Sequence, residues 1–163
     1  MGVSEPEETG KTFVANAELK ARTSATKTRL PAFADDSGLV IPALDGQPGI
    51  YSARWGGLER NFAVAIQRVE KELKARKIES EGVAAYFVSA LSLFWPDGHS
   101  ENFEGEVHGK LTFPPRGTNG FGYDPIFIAN GCKITFGEMK PEKKHSMSHR
   151  SIAFNKLFSN CFA

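Results

Sequence analysis

The hydrophobic positions of the chain follow two different periods. Phe13, Ala17 and Ala21 recur at spacing four, with Lys20 toward another side of the same cylinder, so a helix is expected from Thr12 to about Ala25. Pro31 bars its continuation, and Ala32-Phe33-Ala34 is a short apolar run suited to a buried strand. Phe62, Ile66, Val69 and Leu73, at steps of four, three and four, predict a second amphipathic helix from about Arg60 to Lys77. Val83 to Trp95, rich in Val, Phe, Tyr and Leu, reads as a strand. Pro96-Asp97-Gly98 then turns the chain, and Glu101 to Val107 returns antiparallel as a hairpin. Pro125 to Ala129 and Lys133 to Phe136 flank Asn130-Gly131 and predict a second hairpin. In the tail, His149 to Phe162, residues Ile152, Ala153, Leu157 and Cys161 lie at helical spacing, with Ser148 placed to cap the helix. Gly2 to Gly10 is polar and reads as a loop, and Gly46, Pro48 and Gly49 mark another. Helices and strands mix without strict alternation. That pattern fits α/β with a mixed sheet better than a doubly wound parallel one.

Composition adds mainly exclusions. The 163 residues make one domain of ordinary size, with a 40% hydrophobic and 24% charged content that argues against disorder. Twenty Lys and Arg against nineteen Asp and Glu leave a net charge of +1, which disfavours binding through nucleic-acid phosphates. No apolar run is long enough to span a membrane, and the polar start carries no secretory signal, so a cytoplasmic protein is expected. Cys132 and Cys161 have no metal-ligand spacing and read as reduced thiols.

Four stretches crowd polar residues or glycines beside apolar ones. In Asp35-Asp36-Ser37-Gly38, two adjacent carboxylates end a buried strand, and a persisting pleat points them to opposite faces. Such a carboxylate holds Mg²⁺ or takes a proton from water; the same residues also read as an Asx-turn, with Gly38 supplying the backbone freedom. Gly117 to Pro125 contains glycines that let backbone approach a ligand, with Phe121 or Tyr123 to stack on a base, but a tight connection between strands needs the same residues. Glu142 to Arg150 gathers Lys, His and Arg at a helix start, where anions are favoured, or is a solvated charge run. The fourth is Pro6 to Thr12 followed by Asn16 and Lys20. Gly10-Lys11-Thr12 imitates the end of a P-loop, yet Glu5 stands where its first glycine belongs, so that reading is rejected. The glutamates here serve a metal or simply suit the positive end of a helix, and Lys20 meets phosphate or solvent. Together the stretches supply acids for a cation, cations for phosphates and an aromatic for a base.

In this order the stretches resemble the inosine triphosphate pyrophosphatase family, which hydrolyses non-canonical purine nucleoside triphosphates. The resemblance is carried by Glu7-Glu8-Thr9-Gly10 with Asn16-Ala17 and Lys20-Ala21, Ala34 to Leu39, Pro48 to Arg54, and Phe103-Glu104-Gly105. It continues through Gly120-Phe121-Gly122-Tyr123-Asp124-Pro125, Glu138, Lys144 and Ser148-His149-Arg150. It implies a long central mixed sheet with flanking helices, two lobes around a nucleotide cleft, and a homodimer. Asp36 would be the general base and, with Glu7 or Glu8, a Mg²⁺ ligand. Lys20, counted with Asp36 as catalytic, and Lys144 match phosphate-facing lysines, with Ser37 beside them. Phe121, Gly122, Tyr123 and Asp124 match the base-binding segment. His149 and Arg150 match the pair that meets the purine near its 6-oxo group. The implied reaction takes ITP, dITP or XTP to a nucleoside monophosphate and pyrophosphate. The family also has a strand and a Thr/Ser-x-x-Asn-x-x-Lys phosphate loop well ahead of Glu-Glu-Thr-Gly, which here starts at residue 7. From that the resemblance implies an uncovered sheet edge and weak or no turnover, and the alternative reading is a nucleotide-binding or dimerisation remnant. A third reading, a triphosphatase for modified pyrimidines, fits His149-Arg150 less well.

Overall fold

The computed structural model describes Ser4 and residues 6–162; the part of the expected opening loop at Gly2, Val3 and Glu5 lies outside the described residues. Thr12 starts the first helix, α1 (Phe13–Thr28), by accepting the Ala15 N–H at 3.1 Å. Its buried stripe is Ala17, Ala21 and Ala25, so no long side chain holds the helix away from what it covers. Arg29 closes it in the left-handed region at φ 58°, ahead of Pro31. Then come β1 (Ala32–Val40), α2 (Phe62–Ala75), β2 (Ala84–Phe94), β3 (Ser100–Leu111), β4 (Phe127–Ala129), the short α3 (Pro141–His145) and α4 (His149–Cys161). The expected α/β class holds. Among the described residues the four strands form one antiparallel sheet in the order β1-β2-β3-β4 with flanking helices.

The chain divides into two compact units. Among the described residues the first holds 4, 6–37, 88–106 and 149–162, and the second 38–87 and 107–148. In the first unit, Ala32 and Ala34 of β1 pack with Phe94 of β2 against Ala21 and Ala25 of α1. Leu91 and Leu93 of β2 pack with Ala153 and Leu157 of α4. β2 is buried on both faces from Phe87 onward, which explains why its sequence is a continuous apolar run. In the second unit Asn61 caps α2 by accepting the Ala63 N–H, and Ile66, Val69 and Leu73 face a core with Leu39, Ile41, Leu111, Phe127 and Phe136. Phe87, Phe127 and Phe136 make a cluster of ring contacts within that core.

Three expectations are corrected. The strand at residues 32–34 extends to Val40 and carries Asp35 and Asp36 inside it, so the Asx-turn reading fails. Phe33 is exposed, because the pleat sends Ala32, Ala34 and Asp36 inward and Phe33 outward. The second hairpin does not form. β4 pairs with β3 instead, with Leu111 opposite Phe127 and Gly109 opposite Ala129. Residues 133–136 are drawn into a turn in which Thr135 N–H donates to Glu138 Oε2 and Glu138 N–H returns to Thr135 Oγ1. Among the described residues no helix is long and apolar enough to cross a membrane.

Candidate active site

In the first unit the inward face of β1 delivers Asp36 to α1. Asn16 and Lys20, one turn apart, meet its two oxygens: Asn16 Nδ2 donates to Oδ2 at 3.3 Å and Lys20 Nζ to Oδ1 at 3.4 Å. Lys20 Nζ also reaches Glu8 Oε1 at 3.0 Å. Asn16, only 1% exposed, is itself fixed by the Gly10 N–H, which donates to its Oδ1 at 2.8 Å. A side chain at position 10 would overlap that oxygen and the Ala15 methyl, which accounts for the glycine.

The electrostatics follow from this packing. Burial pushes the Asp36 carboxyl above the ordinary aspartate range and Glu8 adds to the push, while Lys20 and Asn16 pull it down without cancelling it. Burial alone would lower the Lys20 ammonium, but Glu8 and Asp36 outweigh it and hold the value above the usual lysine range.

Asp35, on the opposite face of β1, pairs with Arg150 Nη2 at 3.4 Å and accepts the Ser37 hydroxyl at 3.2 Å. Ser37 thus sides with Asp35 rather than with Asp36. Arg150 is exposed and the neighbouring His149 is buried at the start of α4. Gly105 of β3 lies so close to that first turn that a Cβ would overlap the His149 carbonyl and the Ala153 nitrogen.

In the second unit Gly120 and Gly122 adopt φ of 71° and 66°, around a turn in which Phe121 N–H donates to Asp124 Oδ2 at 2.9 Å. The same Asp124 oxygen pairs with Lys144. Lys144 Nζ also lies 5.4 Å from the ring centres of both Phe121 and Phe136. Phe121 is 58% exposed and Tyr123 only 2%, so of the two aromatics Phe121 presents its ring outward.

The expected site residues therefore form three local groups: Glu8, Lys20 and Asp36; Asp35, Ser37 and Arg150; and Phe121, Asp124 and Lys144. Glu7 is exposed, and it is Glu8 that faces Lys20. Among the described residues no three His, Cys, Asp or Glu gather as a metal cluster. Glu8 and Asp36, two carboxylates already converging on one cationic nitrogen, fit Mg²⁺, which usually takes one or two carboxylates and completes its shell with water and phosphate.

The profile of the Ham1 family matches residues 1–160. The chain belongs to the Ham1 family. It is 56% identical over 163 residues to the dITP/XTP pyrophosphatase of Rhodospirillum centenum, covering all of this chain and 80% of that protein. It is 55% identical over 161 residues to the dITP/XTP pyrophosphatase of Zymomonas mobilis, covering 99% of this chain and 77% of the relative. The solved structure of a HAM1 protein from Coxiella burnetii matches with a TM-score of 0.90 and 41% identity, over 97% of this chain and 80% of that one. In this Ham1 chain two residues escaped assignment by sequence. Asn16 was legible as a polar residue four places before Lys20 but carried no role, and the buried Ser52, whose carbonyl accepts the Tyr123 hydroxyl, gave no signal apart from lying in a matched motif.

Proposed function

We propose that this chain hydrolyses dITP and XTP, and ITP with them, to a nucleoside monophosphate and pyrophosphate, removing non-canonical purines from the nucleotide pool. The name shared by its relatives supports the reading. The observation that carries it is Asp36, a buried carboxyl oriented by Asn16 and Lys20 and raised in proton affinity by burial. A group so placed suits a general base. A water molecule gives Asp36 its proton as its oxygen bonds to the α-phosphorus. The bond from that phosphorus to the bridging oxygen breaks, and its electron pair leaves with pyrophosphate. Lys20 sets a positive charge beside this chemistry, and Lys144 offers another for phosphate. Glu8 and Asp36 would hold Mg²⁺, which when bound neutralises charge on the departing pyrophosphate. Phe121 offers an exposed ring for a purine to stack on. Arg150, steadied by Asp35, and His149 suit a 6-oxo acceptor, whereas the 6-amino group of adenine would face donors with a donor. A homodimer in the cytoplasm is the setting that the family resemblance supports.

Pyrophosphate release from dITP, XTP, dATP and dUTP, with and without Mg²⁺, tests the proposal. Mg²⁺-dependent release from the first two is expected. Calorimetric binding of dITP with no release of pyrophosphate would overturn it in favour of the remnant reading, which no present observation favours.

A further inference from the structure

Tyr123 lies within the base-binding motif, yet its surroundings are those of a strut. The ring is enclosed, edge-on to Phe62 at 5.5 Å between centres, and the hydroxyl donates to the Ser52 carbonyl at 2.7 Å. Ser52 is buried too, and its own hydroxyl accepts the Leu39 N–H at 2.9 Å and donates to the Gly49 carbonyl at 2.6 Å. Burial raises the phenol well above the ordinary tyrosine value, which favours the neutral, donating form. The turn that Tyr123 anchors contains two glycines at positive φ, and it sets both the ring of Phe121 and the carboxylate that holds Lys144.

We propose that the Tyr123 hydroxyl, bonded to Ser52, is a positioning group for nucleotide binding: it fixes the turn that presents Phe121 and Lys144 and does not itself touch the substrate. The inference rests on the pyrophosphatase reading and adds a residue that acts through others. Losing one buried hydrogen bond whose energy preorganises a loop changes binding by about tenfold and leaves the bond-breaking step alone.

Steady-state kinetics with dITP on Tyr123→Phe, Phe121→Ala and the double variant test it. Tyr123→Phe is expected to raise KM about tenfold with kcat within about twofold, and to add less than this full effect once Phe121 is gone, the remainder passing through Lys144. An unchanged KM with a lowered Tm would make the hydroxyl a stability feature only. A lowered kcat at unchanged KM would place it at the reacting atoms, and additive effects would show that it does not act through Phe121; each of these overturns the proposal. If Tyr123→Phe does not fold, Ser52→Ala, which leaves the phenol–carbonyl bond but takes away the two hydroxyl bonds that fix the acceptor, is expected to raise KM by less than about tenfold; an unchanged KM there would show that the turn does not depend on a fixed anchor and overturns the proposal. Failure of the unaltered protein to release pyrophosphate would sink the pyrophosphatase reading instead.

Discussion

The Asp36 group and the Phe121 turn hold their charges by opposite means. Asp36 sits on a strand and takes both of its hydrogen-bond donors from a helix, so Asn16 and Lys20 stand on regular backbone. Lys144 depends on a glycine-rich turn, held in shape by the Asp124 carboxylate and a phenol. The first arrangement suits a group whose protonation must be set; the second presents a ring and a cation from a turn that side-chain bonds hold in place. The difference is sharpest in compensation. Asp36 remains raised in spite of two donors, because its burial and the nearby Glu8 outweigh them. Asp124 meets Lys144 directly, one charge against one.

Removing the base proposed at Asp36 should separate the two regions most strongly. Asp36→Asn keeps shape but turns one of the two accepting oxygens into an NH2 that faces a donor, so the fold and dITP binding should survive with some loss of Tm while kcat falls by about 10³ or more, within the span that general-base catalysis supplies. A rapid-quench measurement of the monophosphate product checks this. Retained turnover would remove Asp36 from the chemistry.

Next in size is Lys20→Met, read as stability by thermal melting without added metal. The substitution leaves Asp36 and Glu8 facing each other without their shared cation, a loss of about 3 kcal/mol when a buried pair is broken. Without Lys20 the Asp36 carboxyl rises further. A raised acid contributes stability that is complete at low pH and is lost as the pH climbs through its folded value, so the deficit should be largest at neutral pH and shrink on acidification. In the unaltered protein the raised Lys20 ammonium works over another window. Its contribution is complete below the ordinary lysine value and fades only in strongly alkaline solution. A deficit that grows on acidification would contradict the sign.

How much of this was legible in the sequence depends on whether the deciding contact is local. The helix α2 followed from Phe62, Ile66, Val69 and Leu73, since period and cap lie within one segment. The opposite facing of Asp35 and Asp36 followed from the pleat. What could not be read were contacts between distant segments: Asp35 with Arg150, Tyr123 with Ser52, and the choice of β3 over residues 133–136 as the partner of β4. Two apolar runs around Asn-Gly look like a hairpin whether or not a longer strand competes for one of them. The side-chain bonds between Thr135 and Glu138 that settle the matter carry no periodic signal. At the site, the motif gave the residue types but not their division of labour. Gly120-Phe121-Gly122-Tyr123-Asp124 reads as one substrate-facing segment, whereas its side chains alternate between an outward ring, a buried strut and an ion-pair partner.

The turn itself is broken by Gly120→Ala. At φ 71° a side chain is strained, at about 1–3 kcal/mol, and its Cβ would overlap the Asp124 carboxylate and crowd Lys144. The expected result is a raised KM for dITP with a smaller change in kcat, the reverse of Asp36→Asn. Equal loss in both parameters would mean that the turn and the base are not separable in function.

The smallest effect, and the most informative about specificity, is expected from Arg150→Ala. The guanidinium is exposed and joined to Asp35 at 3.4 Å, so its removal takes away little packing and leaves Asp35 accessible to solvent. Stability should change by less than about 1 kcal/mol, as for other exposed ion pairs. Base selection should change more. A donor facing a 6-oxo group gains a hydrogen bond there, while facing a 6-amino group it is left unpaired, and one such mismatch is worth about tenfold or more in kcat/KM. The ratio of kcat/KM for dITP to that for dATP should therefore fall about tenfold, mostly through loss of dITP. Asp35→Asn keeps the guanidinium but frees its direction, so the same ratio should fall by less. If Arg150→Ala lowers both substrates equally, the side chain serves phosphate rather than base, and recognition of the 6-oxo group passes to His149 alone.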